Sequence, residues 1–306
     1  MQTILGSGGD AGTQLAKQLI NYAKDIRLVS RNPKKVNESD KLMKADLSNP
    51  NLLNEAVKGS EIVYVTIGFE YKTKVWKETW PKFMTNLIES CKKHNSKIVF
   101  VDNIYMYDPD HLGNMTEETP IKPVSEKSRI RAEIFRMLMN AVERKEVAAL
   151  VARGADFYGP NVQGSLLKQS VYNRLLKNKN PQWIGKVDVL HSFTYGKDIG
   201  KALALLGNTP DAYNQVWHLP TTDEKLTSRQ WIQLMMKAMN KQKKIQAIPT
   251  SMLGIIGLFV PILKELKDVS YQLDRDYFFN SNKFNKEFNF TPISPRDGIK
   301  EMINSV

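Results

Sequence analysis

The chain has 306 residues, 42% hydrophobic and 25% charged, a composition that excludes disorder and admits one large core or two unequal domains. A single cysteine, Cys91, excludes an internal disulfide and a cysteine-rich zinc site and points to a reducing, cytoplasmic setting. The formal charge of +12 attracts polyanions, but the lysines are scattered and no nucleic-acid motif accompanies them, so a solvated basic surface is the first reading and an anionic small substrate or cofactor, rather than nucleic acid, the next.

The first predicted strand begins directly after Met1, which leaves no room for a cleaved signal. Residues 2–22, QTILGSGGDAGTQLAKQLINY, read as a short strand, a glycine-crowded turn and an amphipathic helix. Such a turn lets backbone approach a pyrophosphate where a helix N-terminus presents free N–H groups and partial positive charge. Two registers fit: Gly6, Gly8 and Ala11, or Gly6, Gly9 and Gly12. In either, Ser7 and Asp10 belong to the cradle.

The second strand, IRLVS (26–30), ends in Ser30, Arg31 and Asn32. In dinucleotide folds this position meets the adenosine ribose, where an acid accepts from a free 2′-hydroxyl and a cation welcomes a 2′-phosphate. No acid is present, so Ser30 and Arg31 favour NADP over NAD; Asp25 comes too early, before the strand. The third strand, LMKADL (42–47), places Asp46 and Leu47 at the adenine edge. The fourth, EIVYVTIG (61–68), brings Ile67 and Gly68 to the cofactor; the fifth, KIVFVDN (97–103), ends in Asn103.

With VAALVAR (147–153), these strands alternate with helical patterns, and the later ones are continuous apolar runs. That pattern predicts an α/β, Rossmann-like doubly wound parallel sheet over residues 1–160. Residues 161–306, interrupted by prolines, read as a smaller, interleaved, mixed α/β substrate-binding part, with a further strand for the sheet from 186–219. The apolar run Met252–Leu263 is shorter than the roughly 20 residues a bilayer needs. It reads as a buried helix or pocket wall, and no membrane partner is expected.

GSGGDAG, ADL, FVDNIYMY (100–107), TEETPIKP (116–123), RGADFYGP (153–160), FTYGKDIGKAL (193–203) and VWHLP (216–220) together resemble an extended-type short-chain dehydrogenase/reductase of the NAD-dependent epimerase/dehydratase group. The resemblance runs nearly end to end and selects the Gly6, Gly9, Gly12 register. It implies cofactor contacts from Phe157 and Tyr158, an architectural role for Lys197 and Asp198, and a homodimer. It also implies a Tyr and, four residues later, a Lys; here those positions hold Ser125 and Arg129, and the strand-end Ser or Thr is Asn103.

A serine hydroxyl ionises far above a tyrosine's pH of ~10, so Ser125 is a poor proton shuttle. Arg129 can still bond a ribose, and Asn103 can polarise a carbonyl through its amide. Tyr105 and Tyr107 are the substitute proton donors, although packing is the ordinary duty of such tyrosines. His191 and His218 are not spaced as ligands, and no metal is expected.

The chain thus resembles the atypical subgroup that keeps the cradle and lacks the usual catalytic pair. The expected activity is that of an NADP-dependent oxidoreductase or epimerase-like protein acting on a small carbonyl or alcohol, sugar-derived ones included. The rival is a non-catalytic NADP-binding sensor or scaffold.

Overall fold

A computed structural model describes residues 1–160 and 162–305. The strands are β1 Gln2–Leu5, β2 Ile26–Ser30, β3 Lys41–Lys44, β4 Ile62–Val65, β5 Lys97–Asp102, β6 Ala149–Arg153, β7 Asp156–Tyr158, β8 Gln182–Ile184, β9 Phe193–Tyr195, β10 Val216–His218 and β11 Gln246–Ile248. The α-helices are α1 Asp10–Leu19, α2 Pro50–Val57, α3 Thr73–His94, α4 Glu126–Glu143, α5 Asn173–Leu176, α6 Gly196–Gly207, α7 Ser228–Ala238, α8 Leu253–Ile256, α9 Pro261–Lys267, α10 Asn282–Glu287 and α11 Pro295–Asn304.

Seven strands form one parallel sheet in the order β10-β6-β5-β4-β1-β2-β3. The order reverses beside β1, so the turns after β1 and β4 open at the carboxyl edge where doubly wound sheets bind nucleotides. Strands β1, β4 and β6 are buried along their whole length, as strands covered on both faces are, and their polar members are paired: Gln2 with Asn208, Thr3 with Ser60, and Arg153 facing Asp102. The edge strand β3 instead exposes Lys41, Leu42 and Lys44, charges that discourage edge pairing. It is shorter than the 42–47 expectation because Asp46 accepts hydrogen bonds from the Ser48 N–H (3.0 Å) and hydroxyl (2.8 Å), turning the chain out of the sheet.

Helix α3 buries Trp76, Trp80, Phe83, Met84, Leu87 and Cys91, the three-and-four spacing of one helix face. Burial pushes the Cys91 thiol up, so it is an inert core side chain.

The chain divides into two compact units. The first comprises 1–103, 129–153 and 199–217, the second 104–128, 154–198 and 218–306. The first carries the sheet. The second pairs β7 with β9 and β8 with β11, each in parallel, around a core of Tyr158, Phe193, Trp183, Trp231, Leu167 and Met235.

Residues 252–263 depart from expectation. Instead of one buried helix they form the short helices α8 and α9, joined at Gly257–Val260, with most of their apolar side chains exposed. Of these, Leu253 is buried, because α8 and α9 pack through their small residues: a methyl at Gly257 would lie 2.8 Å from the Lys264 backbone nitrogen.

Candidate cofactor site

The site grows from the turn after β1. Gly6 takes φ +95°, and a side chain there would meet the Ile67 backbone at 2.6 Å. Gly9 caps α1 in an extended conformation and donates its N–H to the Gly6 carbonyl at 3.0 Å. At Gly12, one turn into the helix, a methyl would sit 2.8 Å from the Gly6 carbonyl oxygen and 2.8 Å from Thr66 Oγ1. Two glycines of the wider register are therefore demanded by close approach of backbone to backbone.

Beside this turn lies a cleft of about 830 Å³ within the first unit. Its walls include Gly6, Gly8 and Gly9 from the turn, Ser30 and Arg31 from the end of β2, Asp46 and Leu47 after β3, and Ile67 and Gly68 after β4. The sequence had placed all of these except Gly8 at a cofactor. Ser7, Asp10, Ala11 and Gly12 shape the turn and the first turn of α1 without lining the cleft.

Buried polar atoms test whether a dinucleotide suits these residues. The Ser30 hydroxyl, in the cleft wall, is shielded from solvent with no hydrogen-bond partner among the described residues, a costly state that a ligand oxygen would relieve. Arg31 stands close enough to Asp46 to help its Ser48 hydrogen bonds hold that carboxyl below the usual range. Asp25, by contrast, is occupied at the far end of β2 by Lys41, 2.6 Å away. The donor set, the glycine turn and the helix N-terminus all fit a dinucleotide.

Sequence reasoning missed the segment that completes the cleft, where Thr66, Phe69, Val75 and Thr79 run from β4 into α3. Phe69 rests edge-on against Trp80 (4.8 Å between centroids) and Phe83 (5.5 Å), so the aromatic face of α3 supports the cleft wall. The signal was present in the apolar spacing of α3, but only the fold shows which side chain it buttresses.

At the end of β5 a second feature was missed. The buried Arg131 guanidinium donates from Nε to Asp102 Oδ1 at 2.8 Å and also through Nη2, while Arg153 Nε lies 3.6 Å from Asp102 Oδ2. The same carboxylate accepts the Asn103 N–H at 2.8 Å, which fixes the backbone that presents Asn103. Asn103 itself is half-buried and Arg129 exposed, and neither lines the cleft.

Ser125 is committed elsewhere. Its hydroxyl accepts the Ser128 N–H at 3.3 Å, and Ser128 Oγ accepts the Ser125 N–H at 2.7 Å, a reciprocal cap on the start of α4. The hydroxyl that replaces the tyrosine of the resemblance is thus a helix cap.

Two of the expected site tyrosines are core side chains in this structure. Tyr107 is fully buried, with its hydroxyl 2.7 Å from His218 Nε2; His218 Nδ1 donates to the Asn280 carbonyl at 2.7 Å, so Nε2 is left to accept from the tyrosine. Tyr158 is buried against Phe193, Tyr195 and Trp231, and burial drives its hydroxyl pKa upward. Each is aromatic because it fills a core. Phe157, in β7, is half-buried, pairs with Thr194 and does not line the cleft.

Tyr105 is half-buried, its carbonyl accepting from the Tyr271 hydroxyl at 3.1 Å. His191 is structural: buried, 2.9 Å from Asp156 Oδ2 and stacked on Tyr277. Asp198 accepts the Ile293 N–H and Lys197 pairs with Glu301, contacts that tie the first turn of α6 to the C-terminal segment.

Solved structures share this architecture. A double mutant of the dTDP-glucose 4,6-dehydratase DesIV from Streptomyces venezuelae, solved with NAD, superposes at TM-score 0.82 with 15% identity, covering 100% of this chain and 96% of that one. The UDP-glucose 4-epimerase of Thermus thermophilus, also with NAD, gives 0.78, 15%, 100% and 98%. The UDP-glucuronic acid 4-epimerase of Bacillus cereus, again with NAD, gives 0.81, 14%, 100% and 96%. At such identities the likeness shows the fold. No curated protein matches the chain. Residues 3–218, well over half of the chain, match the model of one family, and the chain belongs to that family, the NAD dependent epimerase/dehydratase family.

Proposed function

We propose that the protein binds NADP(H) in the cleft and acts as an NADP-dependent oxidoreductase or epimerase-like enzyme on a small carbonyl or alcohol, sugar-derived ones included. The observation that carries the cofactor choice is the buried Ser30 hydroxyl beside Arg31, without a hydrogen-bond partner among the described residues, at a strand end without an acid. A 2′-phosphate satisfies both groups through charge-assisted hydrogen bonds. The NAD in the solved relatives is the alternative that Ser30 and Arg31 argue against.

The bound nicotinamide would supply a hydride donor or acceptor. The chain's own part is to hold the pyrophosphate on the backbone of Gly8 and Gly9, to polarise a substrate oxygen with the Asn103 amide, and to bond a ribose through Arg129. Tyr105 or a water supplies the proton, since the Ser125 and Tyr107 hydroxyls are engaged. The epimerases and the dehydratase named above favour a sugar-derived substrate. A reducing, cytoplasmic setting suits the single buried thiol.

Titration of the pure protein with NADPH and NADH tests the cofactor choice, and tighter NADH binding overturns it. Turnover of NADPH with a panel of carbonyls, in the native chain and in Ser125→Tyr with Arg129→Lys, tests the chemistry. The commitment of Ser125 to the α4 cap favours a second reading, a non-catalytic NADP-binding sensor. Tight NADPH binding with no turnover in either protein supports that one.

A further inference from the structure

The hairpin formed by α8 and α9 carries an apolar patch that the cofactor chemistry does not use. Met252, Ile255, Leu258, Phe259, Val260 and Ile262 are all exposed, Phe259 at 84% and Leu258 at 76%. Scattered apolar residues on a surface are ordinary, but six exposed ones within eleven consecutive positions of one hairpin are a concentration. The packing that joins the two helices is already satisfied through Gly257 and the buried Leu253, so this outer face has no partner within the hairpin.

Charge is segregated on the same element. The acids of α9 turn inward: Glu265 pairs with the buried Lys127 at 2.5 Å, and Asp268 accepts the backbone N–H groups of Glu126 (3.4 Å) and Lys127 (2.9 Å) at the start of α4. Its lysines, Lys264 and Lys267, stay exposed. The strand leading into the hairpin is preceded by Lys241, Lys243 and Lys244, within a chain of net charge +12. An apolar tip followed by outward cations is the arrangement of a peripheral membrane anchor: the tip enters the acyl boundary while ammonium groups reach anionic headgroups.

We propose that the α8–α9 hairpin attaches this protein to the surface of an anionic lipid bilayer. No helix among the described residues is long and apolar enough to cross a membrane, so the contact is peripheral. A second copy of the chain is the poorer occupant, because a twofold contact through this tip would bring Lys264 and Lys267 of both copies towards one another.

Co-sedimentation of the full chain with vesicles of phosphatidylcholine, with and without about one third phosphatidylglycerol, tests this. Binding is expected to the anionic vesicles, falling at least about tenfold in Leu258→Ser with Phe259→Ser and about fivefold per lysine in Lys264→Gln with Lys267→Gln. The substituted side chains are exposed, and circular dichroism checks that the fold is retained. Three results would overturn the proposal. The first is failure of the native chain to sediment with the anionic vesicles. The second is equal binding by the apolar double variant, which assigns binding to general surface charge. The third is a dimer of the native chain that the apolar variant does not form, which assigns the tip to a second copy.

Discussion

Arg131 and Asp102 form a buried ion pair at the last residue of β5, with the guanidinium lying 4.5 Å over the Trp80 ring and 5.2 Å over Phe100. Asp102 also faces Arg153, so one carboxylate offsets two buried cations. Removing a partner leaves charge uncompensated in a low-dielectric core. Arg131→Ala is expected to lower stability by about 3–5 kcal/mol in urea unfolding, and Asp102→Ala, which removes the carboxylate facing both guanidinium groups, by at least as much.

Gly9→Ala and Gly12→Ala separate the two demands on the turn. The methyl at Gly12 meets backbone and Thr66, so overpacking costs about 1–3 kcal/mol as well as cofactor affinity. The methyl at Gly9 finds its nearest atom at 3.5 Å, so stability changes by less than about 1 kcal/mol. Intrusion where a pyrophosphate would lie still weakens NADPH binding by about tenfold or more. Fluorescence titration beside thermal unfolding reads both.

Arg31→Ala is expected to weaken NADPH binding about 10–100-fold while leaving NADH little changed, the worth of a charge-assisted hydrogen bond. Ser30→Ala weakens NADPH in the same direction by about fivefold. An equal loss for both cofactors would place Arg31 on the pyrophosphate instead.

Glu117 carries a pH dependence of stability. Burial raises its carboxyl pKa, against the His218 N–H bonded to it at 2.9 Å. A raised folded value means that the folded state binds more protons between the unfolded and folded pKa. This contribution is therefore fully present below the unfolded carboxylate range of about 4.3 and is lost as pH rises through the folded value. Glu117→Gln, which keeps an acceptor for His218, is expected to flatten that decline in denaturant titrations run between about pH 4 and pH 7.

Ser125→Ala removes the α4 cap and is expected to cost about 1 kcal/mol. Ser125→Tyr bears the same loss, so activity assays of the tyrosine variant belong well below its unfolding midpoint. A stability unchanged in Ser125→Ala would show that Ser128 alone closes the helix end.

The sheet and most of the wall of one cleft at its carboxyl edge were legible in the chain. Glycine spacing, apolar runs and strand ends are local properties, and Gly6, Gly9, Ser30, Arg31, Asp46, Leu47, Ile67 and Gly68 line one cleft because each lies at or just past the end of a strand of the same parallel sheet. The tyrosines were not legible in this way. Tyr105, Tyr107 and Tyr158 all follow or end strands, yet Tyr107 and Tyr158 are buried by partners distant in the chain, such as His218 and Trp231. Likewise Arg131 and Ser125 look alike as polar residues near the start of α4, but one neutralises Asp102 and the other caps a helix.

By itself, then, the sequence determined the parallel sheet, the glycine turn after its first strand and the basic strand end, since periodicity and backbone sterics act over a few neighbouring residues. Only the tertiary structure decided which polar groups are spent on packing and capping, which hydroxyls are left buried without a partner among the described residues, and that most apolar side chains of residues 252–263 face outward. Burial is set by what the rest of the chain brings alongside, and no local pattern encodes it.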